Sequence, residues 1–149
     1  MAANTSPIYS LTPKINGVAV SALLATSDGS SGTIGTNIFL AYTAGTNGSY
    51  ISVLRWSAVG TSSPTNTIAT VGRVYVSTIS SGSTNNGNTW LFAEYSLDVQ
   101  AADHSTNATF FIEVPIYKAL PGGYTILVSN SASPASNAYW QAVVYGGDY

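Results

Sequence analysis

The sequence predicts an all-β protein: an antiparallel, jelly-roll-like β-sandwich of eight or nine strands. Three observations carry this. Apolar runs are short, four to ten residues, and rich in β-branched and aromatic side chains. Clusters of Gly, Pro, Ser and Asn separate them at a spacing typical of sandwiches and barrels. No run shows sustained 3.6-residue periodicity; one helical turn within Leu97–His104 is the most helix expected.

In chain order, the expected strands are Ile8–Ile15, Val18–Thr26, Asn37–Thr43, Tyr50–Val59, Ile68–Ser77, Trp90–Leu97, Thr109–Tyr117, Tyr124–Ser129 and Tyr139–Tyr145. Pro13 cannot donate to a ladder, which makes the first an edge strand or arm. Residues 1–16 are thus read as an N-terminal arm or edge segment, and 17–149 as one sandwich domain. Asn47-Gly48 tolerates positive φ and predicts a hairpin. Pro121-Gly122-Gly123 predicts a second tight turn. The C-terminal Gly146-Gly147 pair suggests a bulge or kink in the last strand.

Alternation assigns faces. Phe110, Ile112, Val114 and Ile116 form an inner face, leaving Phe111, Glu113, Pro115 and Tyr117 outside. Ile51 and Val53 fall on one side of their strand, opposite Leu54, Trp56 and Ala58; Ile38, Leu40 and Tyr42 oppose Phe39 and Ala41. Several strands are therefore apolar on both faces. Either this chain's own loops and N-terminal segment cover the second face, or other chains do.

Composition narrows function. Of 149 residues only 7% are charged, with a net charge of −2, one His and no Cys. This excludes a disulfide framework and a thiolate metal site. Four Lys and Arg residues cannot build a nucleic-acid footprint or a polybasic membrane patch. Solubility comes instead from Ser, Thr, Asn and Gly, which make up 63 of the 149 residues. Residues 1–7 lack a positive region followed by an apolar core, so no signal peptide is expected.

The residues able to do acid–base work are Asp28, Glu94, Asp98, Asp103, His104, Glu113 and Asp148. Asp103-His104 has no G-x-S-x-G elbow before it. Glu94 and Glu113 would pair as glycosidase carboxylates only if their strands were neighbours; each alternates with apolar residues, which points instead to an outward solubilising role or a salt bridge to Arg55 or Arg73. Asp28 supplies one carboxylate where a calcium loop needs several. No catalytic residue, cofactor or metal is expected, and the protein is read as non-enzymatic. Trp56, Trp90 and Trp140 with ten Tyr could stack sugar rings and keep a glycan-binding module open as the alternative.

A further set of residues is similar to small tailed-bacteriophage virion proteins. It comprises Ala41-Tyr42-Thr43-Ala44-Gly45-Thr46-Asn47-Gly48-Ser49-Tyr50-Ile51, Leu54-Arg55-Trp56, Arg73-Val74-Tyr75-Val76, Leu120-Pro121-Gly122-Gly123-Tyr124-Thr125-Ile126-Leu127-Val128 and Tyr145-Gly146-Gly147-Asp148-Tyr149. These are strand and turn motifs spanning roughly Asn37 to the C-terminus. The chain resembles capsid decoration (cement) proteins. That resemblance implies a symmetric homo-oligomer bound to the major capsid protein on the outer capsid surface of the virion, after synthesis in the bacterial host cytoplasm. Ile8, Tyr9 and Leu11, the outward Phe111 and Tyr117, and the C-terminal Asp148 and Tyr149 are the expected interface residues.

Overall fold

The structure is a computed structural model that describes residues 12–62, 65–103 and 110–149. It contains eight strands: β1 (Thr12–Val20), β2 (Phe39–Thr43), β3 (Ser49–Gly60), β4 (Thr70–Ser77), β5 (Thr89–Leu97), β6 (Phe111–Leu120), β7 (Thr125–Asn130) and β8 (Ala138–Asp148). They form two antiparallel four-stranded sheets, ordered β1-β8-β3-β6 and β2-β7-β4-β5. β1 pairs with β8, β2 with β7, β3 with β6 and β4 with β5. That nested pairing is one long antiparallel ribbon, with its tip at β4–β5, rolled into two layers. It is the topology of a jelly roll.

The two expected N-terminal strands are one. Asn16-Gly17 lies between them but continues the ladder, facing Val144 and Val143 on β8. Pro13 sits on this edge strand, opposite Gly147, where a proline is tolerated. Among the described residues, Leu97–Asp103 contains no helical turn: after β5 the chain stays extended and bridges Asn66 at Ala101.

The two strongest turn signals join sheets rather than adjacent strands. The Gly45–Gly48 turn, with Gly48 at φ +96°, carries the chain from β2 in one sheet to β3 in the other. Pro121–Tyr124 does the same between β6 and β7, and is closed by the Tyr124 N–H donating to the Pro121 carbonyl at 3.2 Å. Of consecutive strands, only β4 and β5 are paired. A turn signal reports the local backbone, whereas the sheet that the next strand joins is set by which face it must bury.

The core lies between the sheets, around Trp56, Trp140, Tyr42, Leu54, Ile51 and Val74. Bulges reset its phase. The register of β3 shifts between Ile51 and Val53, so Ile51 points inward with Leu54 and Trp56 instead of opposing them. A similar shift in β2 between Leu40 and Tyr42 buries Tyr42 beside Phe39 and Ala41. On β6 the expected inner positions Val114 and Ile116 are buried, and Ile112 packs against the same core.

The outer faces differ. Over the β2-β7-β4-β5 sheet, the β1–β2 connection lays Leu24, Ile34 and Ile38 on Tyr75, Leu127 and Leu40, forming a second, smaller apolar cluster. Here the chain covers its own sheet. No described residue performs that service for the β1-β8-β3-β6 sheet.

Candidate functional site

The uncovered sheet is built from cross-strand rows. Its outward side chains run Ile15–Tyr145–Val53–Pro115, then Gly17–Val143–Arg55–Glu113, then Ala19–Gln141–Ser57–Phe111. Four strands at about 4.8 Å spacing and a run of about eight residues give a face of roughly 500 Å². Apolar groups dominate it, and Ile15 and Phe111 are 63% and 51% exposed.

One charged group lies in the middle. The Arg55 guanidinium donates to Glu113 Oε1 from Nε at 3.0 Å and also from Nη2. It lies 4.4 Å from the Phe111 ring centroid and 5.5 Å from that of Tyr145. Its partners hold it flat on the sheet and raise its pKa, the Glu113 hydrogen bond being the main cause. Arg55 thus extends the apolar surface through its stacked plane. Glu94 pairs with Arg73 at 2.8 Å, and Arg73 Nη1 also donates to the Leu24 and Thr26 carbonyls. Of the two roles expected for these glutamates, the salt bridge is the one formed, Glu113 with Arg55 and Glu94 with Arg73. Glu94 and Glu113 sit on edge strands of different sheets, each engaged with its own arginine.

At the edge of this face stands Tyr117, 62% exposed and at φ +48°. The β6 register jumps around it, with Pro115 facing Val53 and Lys118 facing Ile51. A bulky residue in the left-handed region costs about 1–2 kcal/mol. The bulge therefore holds this ring outside the fold at the expense of stability. Phe110, just before β6, meets Trp140 edge-on with centroids 6.4 Å apart, and is half-exposed rather than fully inward.

The remaining expected interface residues divide. Ile8, Tyr9 and Leu11 lie outside the described residues, as does His104. Tyr149 is half-buried and its N–H donates to the Gly48 carbonyl at 3.1 Å. Asp148 works inside the chain. Its Oδ1 accepts from the Tyr42 hydroxyl at 3.1 Å, the Gly45 N–H at 3.2 Å and the Ser49 hydroxyl; Lys14 Nζ lies 3.3 Å from Oδ2. Four donors of its own chain thus converge on Asp148 as a latch. They lower its pKa, the Ser49 hydroxyl most, against an opposing effect of burial.

The tryptophans considered for sugar stacking also divide, Trp56 being wholly buried. Trp140 is 1% exposed in the core, where no ligand reaches it. Trp90 is 44% exposed on edge strand β5, followed by exposed Leu91 and Phe92. Composition alone did not reveal this three-residue run. A β5 register shift opposite Val74–Tyr75 turns both Leu91 and Phe92 outward.

No protein-family model matches the chain, and no curated protein matches it. Among solved structures it is similar to a chain of the cyanophage Pam1 capsid asymmetric unit, at 10% identity and TM-score 0.42, covering 97% of this chain and 92% of that one. It is also similar to chains in two structures of infectious bursal disease virus. The Gx strain gives 11% identity, TM-score 0.35 and coverage of 93% and 34%. The T13 viral particle gives 11% identity, TM-score 0.32 and coverage of 99% and 35%. The chain thus spans about a third of those two chains. These neighbours come from viruses, two of them described as a capsid or a viral particle; scores this low carry no assignment of function.

Proposed function

We propose that this protein is a non-enzymatic capsid decoration protein, which binds the outer surface of a major capsid protein shell in the virion and stabilises it as a symmetric homo-oligomer. The observation that carries this reading is the outer face of the β1-β8-β3-β6 sheet, which no described residue covers, continuous with Phe111 and Tyr117 on the β6 edge. Its exposed apolar groups, Ile15, Phe111 and Tyr117 foremost, lie on one side of one sheet, as at an interaction surface. The face, roughly 500 Å², falls short of the ~800 Å² per partner of a standard interface, so the contact made by one copy is modest. The resemblance of the turn and strand motifs to virion proteins points the same way.

The mechanism is mechanical. Burying apolar surface across the boundary between capsid subunits adds free energy to the assembled shell, at ~25 cal/mol per Å² before ordering costs. Many copies on one lattice multiply modest contacts. A nearly neutral face has little long-range charge to screen, so attachment persists at high salt.

The test is co-sedimentation with empty capsids at low and high salt, followed by cryo-EM of the shells. The expected result is salt-resistant binding in a regular lattice on the outside, weakened by Phe111→Ser or Tyr117→Ser. Absence of the protein from the shell lattice overturns the reading.

A further inference from the structure

On the other sheet a cleft of about 370 Å³ opens beside Trp90, lined by Ser27, Asp28, Asn86, Thr89, Trp90 and Leu91. Its volume lies at the small end of the range of small-molecule sites, about 300–1,000 Å³. Two connections build it. The β1–β2 connection brings Ser27 and Asp28, and the β4–β5 turn brings Asn86.

The backbone fixes these walls. Thr84 Oγ1 donates to the Gly29 carbonyl at 2.5 Å, the Thr84 N–H to the Gly32 carbonyl at 2.8 Å and the Ile34 N–H to the Gly82 carbonyl at 2.9 Å. Gly29 at φ +78° packs its Cα against Tyr75 and Thr89, where a Cβ would lie 3.0 Å from the Tyr75 ring. The turn is braced by its own asparagines. Asn88 Oδ1 accepts from the Asn85 N–H, and Asn85 Oδ1 from the Gly87 N–H.

The lining pairs an aromatic plane with hydroxyl-binding groups. Trp90 lines the cleft and is 44% exposed. Asp28 Oδ1 is engaged by the Ser30 N–H at 3.0 Å and the Ser30 hydroxyl at 2.7 Å. The Ser30 hydroxyl, then its N–H, hold the Asp28 carboxyl below its ordinary value, and Asn86 contributes in the same direction. Asp28, an ionised acceptor, and Asn86 thus line the same cleft. No Lys or Arg is among the lining residues.

We propose that this cleft binds an uncharged saccharide unit of a glycan, its apolar ring face stacked on Trp90 and neighbouring hydroxyls bonded to Asp28 and Asn86. A carboxylate donates nothing at working pH and repels anions, so uronic and other acidic sugars are disfavoured. Lying on the sheet opposite the proposed capsid-binding face, the cleft is independent of the capsid reading: either stands if the other fails.

The experiment titrates the isotope-labelled, full-length protein with methyl glycosides of glucose, galactose, mannose and N-acetylglucosamine, with methyl glucuronide as the charged control, followed by NMR. The expected result is saturable shifts confined to residues 27–30 and 85–91 for at least one neutral glycoside, and none for the glucuronide. Trp90→Ala weakens that binding about tenfold. Asn86→Ala, on an exposed turn, weakens it as well and serves if the Trp90 variant does not fold. The proposal is overturned if no neutral glycoside shifts these resonances, if the glucuronide binds equally well, or if neither variant changes the affinity.

Discussion

Replacing Asp148 by Ala tests whether the C-terminus latches the sandwich. Its carboxylate joins Lys14 on β1, Tyr42 on β2, Gly45 in the β2–β3 turn and Ser49 on β3. Ser49 and Tyr42 are wholly buried, so the Ala variant leaves two hydroxyls without their acceptor. Each buried unsatisfied group costs about 1–3 kcal/mol. The partial solvent access of Asp148 favours the lower half of the summed range, about 3 kcal/mol. For a chain of this size that lowers Tm by about 6–12 °C at neutral pH. Asp148→Asn keeps one acceptor and loses the Lys14 ion pair, so its loss is about half as large. The pH dependence has a definite sign. Folding lowers the pKa of Asp148 from its ordinary 3.8. Its contribution is therefore fully present above that value, and is lost as pH falls through the lower folded value. Calorimetry from neutral pH downward should show the gap between wild type and Asp148→Ala constant at first, then closing below about pH 4. Equal Tm at neutral pH, or a gap that does not close in acid, would refute the latch.

Tyr117→Gly separates stability from attachment. Relief of a positive φ, offset by glycine's added chain entropy, leaves thermal stability unchanged or up to about 1 kcal/mol higher, while capsid co-sedimentation weakens; loss of both would show that the ring serves the fold. Trp140→Ala should cost about 3–5 kcal/mol by denaturant titration, whereas Trp90→Ala on the surface costs about 1 kcal/mol or less; similar losses would contradict the core and edge assignments. Gly60→Ala places a Cβ 1.3 Å from the Ala102 carbonyl oxygen. The β3 end and the chain after β5 must then separate, and a Tm within a degree or two of wild type would show that contact to be absent.

Strand positions were legible because period-2 apolar runs and Gly/Pro clusters are local signals, and seven of the eight strands lie largely where those signals put them. What was not legible is non-local. Asn16-Gly17 looks like a break but continues β1, since a Cβ at Gly17 would meet Val143 Cγ2 at 3.2 Å and glycine fits the close approach. One extra residue near Ser52 and another near Ala41 inverted the expected faces of Ile51 and Tyr42. Trp90 and Trp140 both sit near strand starts; only the strand order tells that one lies on an edge and the other at the centre. Phe111 and Tyr117 were found because β6 alternates cleanly up to its bulge.

The edge strands also define the kind of contact a neighbour can make. A long flat edge invites another strand to add to the sheet. On β6, Pro115 has no N–H to offer, Tyr117 leaves extended geometry, and Lys118 brings a charge. On β5, the shift at Leu91–Ala93 breaks the repeat, and Glu94 follows it. Both edges are therefore poor templates for backbone pairing. Each projects apolar side chains outward all the same: Phe111 and Tyr117 from one, Trp90, Leu91 and Phe92 from the other. On the β6 side, which borders the proposed capsid-binding face, protection against strand addition combined with outward Phe111 and Tyr117 favours a partner that docks by side-chain packing on a surface of fixed shape. A folded capsid lattice offers such a surface, and an extended peptide does not.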